Sequence, residues 1–185
     1  MNTSLQDLFV IEMASLYDAE TQLVKALRKM SRNAASPDLR AAFKEHLQKT
    51  KEHASRIERI FGDLQLSDKL KSEKCKGMQG LISEANNLLK RNLPPAVEDA
   101  GIISSAQHVE HYEIAAYGCV RTYAELLRHK SAVDLLEQTL QEEKDADEKL
   151  TGLAQQINMD AAQMLAEPGT GESGDGSEAR AKATS

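Results

Sequence analysis

The sequence contains no tryptophan, and aromatic residues make up only 4% of its 185 residues. It has four prolines, and no stretch alternates apolar and polar residues for long enough to predict a β-strand. Leu, Ala, Glu, Lys and Gln dominate instead, and these residues favour helices. The sequence therefore predicts an all-α protein.

Other absences restrict location and partners. The two cysteines, Cys75 and Cys119, lack the spacing of a metal or redox motif and suit a reducing compartment. The formal net charge is −6 and no large basic block is present, which argues against nucleic acid as a main partner. We see neither a signal peptide nor a run long enough to cross a bilayer. These features predict a cytoplasmic protein that does not act on a membrane.

Apolar residues recur every three or four positions in four long segments, which predicts four long helices. The first begins at Ser4, where Asp7 completes a capping box, and ends near Arg32. The second begins at Pro37, a favoured first helical residue, and ends near Leu64.

The second half of the chain predicts a crossover and two further long helices. Residues 69–95 are too many for a tight turn and include a short helix at 78–91. The third long helix spans 97–129, and the fourth begins at Ser131 with Asp134 in the capping-box position. An antiparallel four-helix bundle with one long crossover accommodates this order.

The predicted bundle domain covers residues 1–165. Residues 166–185 are Gly, Ser, Thr, Ala and charged residues without apolar spacing. Such a segment buries too little apolar surface to fold, so we expect a disordered tail.

The inner faces of the long helices carry polar residues where apolar ones are expected. Glu110 and Glu113 lie between Ala106 and Tyr117 on one such face. Burying an unpaired carboxylate costs several kcal/mol, and two close together cost more. The inward-facing candidates on the four helices are Glu20, His46, His53, Glu110, Glu113, Glu143 and Asp147.

Hairpin register places these candidates at one level. With the first turn near residue 35, Glu20 lies opposite residue 50, between His46 and His53. No Lys or Arg occupies the inner faces at that level. Carboxylates and imidazoles suit iron, manganese or zinc, so the pattern predicts a dinuclear metal site, with iron as the first choice.

Each candidate taken alone also fits a structural interpretation. A single inward Glu can reach solvent through helix tilt, and a single His is more often a bonded core residue than a ligand. Asp147 can turn outward to Lys144 or water, and Glu142 is predicted to face outward. Tyr117 and Tyr17 lie one turn from the acids, where a core role or a hydrogen bond to a ligand is open.

Four segments resemble the YciF-type stress proteins, relatives of the ferritin-like superfamily. The segments are LYDAETQLVKAL (16–27), KCKGMQGLISEA (74–85), HVEHYEIAAYG (108–118) and LQEEKDADEKLTGL (140–153). The resemblance implies a ferritin-like four-helix bundle, a homodimer and the bacterial cytoplasm.

Rubrerythrin-like relatives of that superfamily imply a ligand pattern as well. Glu20, Glu110, Glu113 and Glu143 match it, whereas Thr50 and Ala146 stand where a Glu and a His are expected. The first functional hypothesis is a dinuclear metal protein with peroxide or dioxygen chemistry and an external reductant. The alternative is a non-catalytic stress-protective dimer with a degenerate site; a ligand-binding or partner-binding bundle is a third. No catalytic residue is assigned.

Overall fold

The structure, a computed structural model, describes residues 4–163. Within that range it contains five α-helices, one short 3-10 helix and no β-strand, so the all-α prediction is confirmed. The helices are α1 (Leu5–Asn33), α2 (Pro37–Asp63), α3 (Lys76–Leu88), α4 (Pro95–Leu126) and α5 (Lys130–Gln163). The predicted tail, residues 166–185, lies outside the described residues. Among the described helices, none is both long and apolar enough to cross a membrane.

Helices α1 and α2 begin as the sequence predicts. The Ser4 side chain accepts a hydrogen bond from the Asp7 amide, and the Asp7 carboxylate accepts one from the Ser4 amide. Ser36 caps α2, with Pro37 as its first residue. Both caps satisfy amides that a helix start leaves without a partner.

The turn between α1 and α2 is held by a residue of α4. Asp99 is 2% exposed, and its carboxylate accepts hydrogen bonds from the Ala35 amide at 2.8 Å and the Ser36 amide at 2.7 Å. These charge-assisted bonds fix the turn against a helix more than sixty residues away in sequence.

The predicted crossover helix is present as α3, and it packs on α4 and α1. It approaches α4 closely because two glycines lie at the contact. A β-carbon at Gly77 would lie 2.9 Å from the Tyr112 ring, and one at Gly101 would lie 2.7 Å from Leu88. Real β-carbons do not approach other atoms so closely, so larger residues would separate the helices.

The segment before α3 is attached to α1. The Asp18 carboxylate accepts a hydrogen bond from the Cys75 amide at 2.9 Å and pairs with Lys74 at 2.7 Å. The Gln22 side chain donates to the Cys75 carbonyl at 3.1 Å. The Cys75 sulfur lies 3.0 Å from the Tyr112 hydroxyl of α4. The crossover therefore covers the side of the molecule formed by α1 and α4.

The predicted start of the last helix was wrong. Helix α5 begins at Lys130, so Ser131 lies inside it, and the Ser131 hydroxyl donates to Asp63 at 3.3 Å. The backbone reverses at Arg128, which has a φ of 61°. The left-handed residue closes the end of α4, where the Arg128 amide donates to the Glu125 carbonyl at 3.0 Å, and α5 begins two residues later.

The four long helices pack in pairs, α1 with α2 and α4, and α5 with α2 and α4. Two apolar clusters fill the interior. One includes Leu23, Phe43 and Ile103 near the α1–α2 turn. The other includes Met13 and Ile57 toward the opposite end. The inward polar residues lie between these clusters along each helix.

Replacing Asp99 with Ala should destabilise the fold. The change leaves the Ala35 and Ser36 amides without their acceptor, and we expect the free energy of unfolding to fall by about 2–4 kcal/mol. Urea unfolding monitored by circular dichroism measures it. Glu148→Ala, an exposed change on α5, is the control and should shift stability by less than about 0.5 kcal/mol. Equal stability of the two variants would contradict the role of Asp99.

Candidate metal centre

Six of the seven predicted ligand residues come together between the four long helices, in two groups that share one residue. The first group is His46, Glu110, Glu113 and Glu143, and the second is Glu20, His53 and Glu143. Within each group, one oxygen or nitrogen from every residue lies within 4.8 Å of the others. Because Glu143 belongs to both groups, we call the six residues together the carboxylate–histidine cluster.

The cluster is buried. Glu20, His53, Glu113 and Glu143 are 0% exposed, Glu110 is 2% exposed and His46 is 9% exposed. Removing one charged carboxylate from water costs several kcal/mol even after the protein relaxes around it. Four carboxylates together therefore need protons or cations to remain in this place.

The cluster also contains most of the unbonded polar atoms in the interior. Among the described residues, nine buried side-chain nitrogen or oxygen atoms lack a hydrogen-bond partner, and eight of them belong to the cluster. Both oxygens of Glu113 and both oxygens of Glu143 are among the eight. Buried polar groups in folded proteins are nearly always bonded, so this concentration marks the cluster as a candidate metal centre.

His53 lies between two acids of the cluster. Its Nδ1 is 2.9 Å from Glu143 Oε1 and 3.5 Å from Glu20 Oε1. Burial lowers the pKa of His53, but the two carboxylates outweigh burial and raise the pKa to about 10. Without a metal, His53 is therefore an imidazolium that compensates part of the negative charge.

Protons compensate the rest of the charge when no metal is bound. Burial raises the pKa of Glu110 and of Glu113 well above the ordinary value, and neighbouring carboxylates add to the rise. Burial lowers the pKa of His46, whose Nε2 lies 3.3 Å from Glu110 Oε1. Burial raises the pKa of Glu143 as well, but the contact with His53 prevails and lowers it, so raised pKa values at this end belong to Glu110 and Glu113.

A second layer of charged residues orients His53 from outside. His53 Nε2 lies 2.9 Å from Glu142 Oε2, and Arg56 donates to the same carboxylate at 2.5 Å and 3.1 Å. Burial raises the pKa of Glu142, but the bonds from Arg56 and His53 prevail and lower it to about 2. Glu142 therefore stays ionised and holds a proton on Nε2, so that Nδ1 is the nitrogen that faces the cluster and the one left to bind a metal once His53 is neutral.

The sequence analysis missed this layer. It placed Glu142 outward, whereas its side chain is only 14% exposed and lies between α2 and α5. The available signal was Arg56, which follows His53 by three positions and so lies on the same side of α2.

The two tyrosines near the acids differ in role. The buried Tyr117 hydroxyl donates a short hydrogen bond to Glu20 Oε1. Tyr17 instead donates to Glu58 at 2.7 Å and does not reach the cluster. Tyr117 therefore fixes the carboxylate plane of Glu20. The other oxygen of Glu20, Oε2, remains unbonded.

Asp147, the seventh predicted ligand, lies outside both groups. Its side chain is 22% exposed and is bonded by Gln107 at 3.2 Å, with His111 at 3.3 Å. The inner face of α5 passes from Glu143 to Leu150, which is seven positions and two full turns away. Asp147 points away from this inner face of α5, toward Gln107 and His111 on the outer side of α4.

The two positions that depart from the rubrerythrin-like pattern contribute no ligand atoms. The buried Thr50 hydroxyl donates to the His46 carbonyl at 3.0 Å, within its own helix. Ala146 lines a cavity of about 190 Å³ between α2 and α5. The residues around that cavity are Ala42, Phe43, Glu45, His46, Lys49, Glu110, Glu142, Asp145, Ala146, Lys149 and Leu150.

Comparison with known proteins agrees with the resemblance seen in the sequence. Residues 4–163 match the family described as a domain of unknown function, DUF892. The chain is 42% identical over 151 residues to protein YciF of Escherichia coli K12, and the match covers 82% of this chain and 90% of YciF.

Two solved structures are similar to the fold. The crystal structure of the E. coli stress protein YciF has a TM-score of 0.80 at 41% identity, and the match covers 84% of this chain and 98% of that one. YcfI from Rhodopseudomonas palustris has a TM-score of 0.76 at 37% identity, with 80% and 93% covered. The family match spans nearly all of the described residues, and the chain therefore belongs to the DUF892 family of YciF-type proteins.

Proposed function

We propose that this protein binds two divalent metal ions in the carboxylate–histidine cluster. The observation that supports this most is the set of eight unbonded, buried nitrogen and oxygen atoms that face one another. His53 Nδ1 and Glu143 Oε1 lie 2.9 Å apart and can pair when His53 is protonated, but atoms such as both oxygens of Glu113 have no partner in the protein. A metal ion binds the lone pairs of several such atoms at once. The shared residue, Glu143, is suited to bridge two ions.

The charge of the cluster matches two ions. The four carboxylates are those of Glu20, Glu110, Glu113 and Glu143. Fully ionised, they carry four negative charges, which two divalent cations neutralise while His46 and His53 are neutral ligands. A single ion would leave two buried negative charges, which the low-dielectric interior disfavours.

The arrangement of helices supports a ferritin-like antiparallel four-helix bundle around this site. Helices α1 and α2 form one hairpin, α4 and α5 form another, and the long crossover joins them. Bundles of this kind build dinuclear sites from inward carboxylates and histidines. Glu20, His53, Glu110, Glu113, Glu143 and His46 are the ligands of the proposal.

Mixed carboxylate and imidazole donors suit iron first, with manganese and zinc as alternatives. Bound iron or manganese would supply redox chemistry with peroxide or dioxygen, in keeping with the stress role named for the E. coli relative. Cys75 is buried and Cys119 is exposed, and they form no pair that could hold an electron-donating cluster. Turnover would use an external reductant, in a cytoplasmic homodimer.

A second function is favoured by one observation. Thr50 and Ala146 provide no ligand atom, and the acids carry protons when no metal is present. A protein that keeps the fold with a degenerate site would be a non-catalytic stress-protective dimer. This alternative gains support if the melting temperature does not respond to iron, manganese or zinc.

Anaerobic addition of iron(II) followed by desalting should leave about two ions per chain. At a free concentration of about 100 times the dissociation constant, binding stabilises the folded state by about 2.7 kcal/mol, and the melting temperature should rise by about 5–10 °C. Glu143→Ala, which removes the shared ligand, should retain less than one ion per chain. Elemental analysis and calorimetry measure both quantities, with Glu148→Ala as control.

Two results together would contradict the dinuclear proposal: the native protein retains less than one metal ion per chain, and the double variant Glu110→Ala with Glu143→Ala retains the same amount. Such adventitious binding would use surface groups rather than the cluster.

Glu142→Ala should weaken metal affinity without removing a ligand. The change frees His53 from the carboxylate that fixes its Nε2 proton, and outer carboxylates of this kind contribute about 10–100-fold in affinity. Competition with a chelator measures the dissociation constants. Affinity equal to that of the native protein would exclude an orienting role, and Glu137→Ala, an exposed acid on the same helix, is the matched control.

The metal-free protein should lose stability as pH rises above about 4.5, the ordinary pKa of glutamate. The raised pKa values of Glu110 and Glu113 mean that the folded state keeps protons that the unfolded chain releases. The unfolding free energy therefore falls with pH until these groups ionise in the folded state. Glu113→Gln should reduce the fall between pH 5 and 9, as measured by urea unfolding with chelator present. Identical pH profiles for Glu113→Gln and the native chain would refute the proton assignment.

A further inference from the structure

The cavity between α2 and α5 reaches only one end of the carboxylate–histidine cluster. Two cluster residues line it, His46 and Glu110. His46 is also the most exposed cluster residue, at 9%, whereas Glu20 and His53 are 0% exposed. Solvent therefore reaches the cluster at the His46 end.

The opposite end is closed by other side chains. The Tyr117 hydroxyl bonds Glu20, and the Glu142–Arg56 pair covers His53 on its outer side. Tyr117 is itself 0% exposed. A ligand from solvent would have to displace this bonded layer to reach the Glu20–His53 end.

The inner part of the cavity is mainly apolar. Phe43 and Leu150 form part of its wall, and Ala42 and Ala146 open the space because their side chains are small. Its volume is about 190 Å³, and an engineered cavity of about 150 Å³ holds a benzene molecule. The space therefore admits molecules of a few non-hydrogen atoms and excludes bulky substrates from the cluster.

Charged side chains lie at the outer part of the cavity. Lys149 of α5 pairs with Glu45 of α2 at 2.7 Å, and their side chains are 47% and 64% exposed. Exposed pairs of this kind contribute little to stability. The Lys149–Glu45 pair can therefore open without a large cost, and it does not lock the entrance.

We propose that this cavity is the port by which small, peroxide-sized ligands reach the metal ion at the His46–Glu110 end. The ion at the Glu20–His53 end is closed to them, so the two metal positions differ in access. The inference rests on the proposed function and adds to it the size of the ligand, the route and the reactive position.

The test uses the full chain loaded with iron and then oxidised to iron(III) in air, with azide as the ligand probe and the visible absorbance of the iron(III)–azide complex as the readout. Ala146→Phe places a large side chain in the cavity, while the metal ligands are kept. We expect the azide association rate to fall at least tenfold, with metal content unchanged. Ala41→Phe is the matched control, because Ala41 is exposed on α2 and does not line the cavity, and its rate should equal that of the native protein.

Release of iron to an excess of chelator gives a second readout. The native protein should release one ion per chain faster than the other, and Ala146→Phe should slow the faster phase. If the phenylalanine variant does not fold, Ala146→Leu takes its place because leucine fills less of the cavity. It should give a smaller decrease in the azide association rate and in the rate of the faster iron-release phase.

The possible failures are distinguishable. A native chain that takes up no metal overturns the proposed function and the port together. A loaded Ala146→Phe protein that binds azide at the native rate overturns the port alone and leaves the metal site standing. Release of both ions in a single phase overturns the difference in access between the two positions.

Discussion

The burial of four carboxylates and two imidazoles at one level of the interior is the constraint on which the rest of the structure depends. Each of the four long helices supplies part of the cluster, so these four helices must meet in one register for the charges to be compensated. The apolar clusters on either side provide the stability that this level does not. Because that apolar packing excludes water, it also strengthens every electrostatic interaction within the layer.

Two different compensations would satisfy this constraint: protons, and the divalent metal ions that we propose. In the metal-free state, protons on Glu110 and Glu113 and the imidazolium of His53 reduce the negative charge. Metal ions would replace those protons. Glu142 and Arg56 stay outside this exchange, since the pKa of Glu142 is lowered to about 2 by partners that do not belong to the cluster. A fixed outer layer thus surrounds an inner layer whose protonation changes.

Much of this arrangement could be predicted from sequence, because the spacing of inward residues repeats with the helical period. Ser4, Asp7 and Ser36 marked helix starts through local hydrogen bonds, and the structure has those bonds. The same spacing predicted that six of the seven candidate ligand residues come together between the four long helices. The start of α5 was misplaced because Ser131 resembles an N-cap in the sequence. In the structure the left-handed Arg128 follows the end of α4, and α5 already begins at Lys130.

The remainder depends on distances between helices, which one-dimensional patterns do not contain. Asp147 satisfied the helical period, yet small rotations of α5 decide whether such a side chain faces the interior or Gln107. The spacing of His53 and Arg56 places both on one side of α2, but their bonds to Glu142 join α2 to α5 and depend on how these two helices pack. The cavity beside Ala146 is likewise a property of how closely two helices pack.

The crossover and the cavity lie in different parts of the molecule. Helix α3 and the Cys75 segment cover α1 and α4, held by Asp18, Gln22 and the close contacts at Gly77. The cavity lies on the other side of the molecule, between α2 and α5. Changes in the length of the crossover are therefore expected to leave the cavity walls in place, whereas a larger side chain at Ala42 or Ala146 would narrow the cavity.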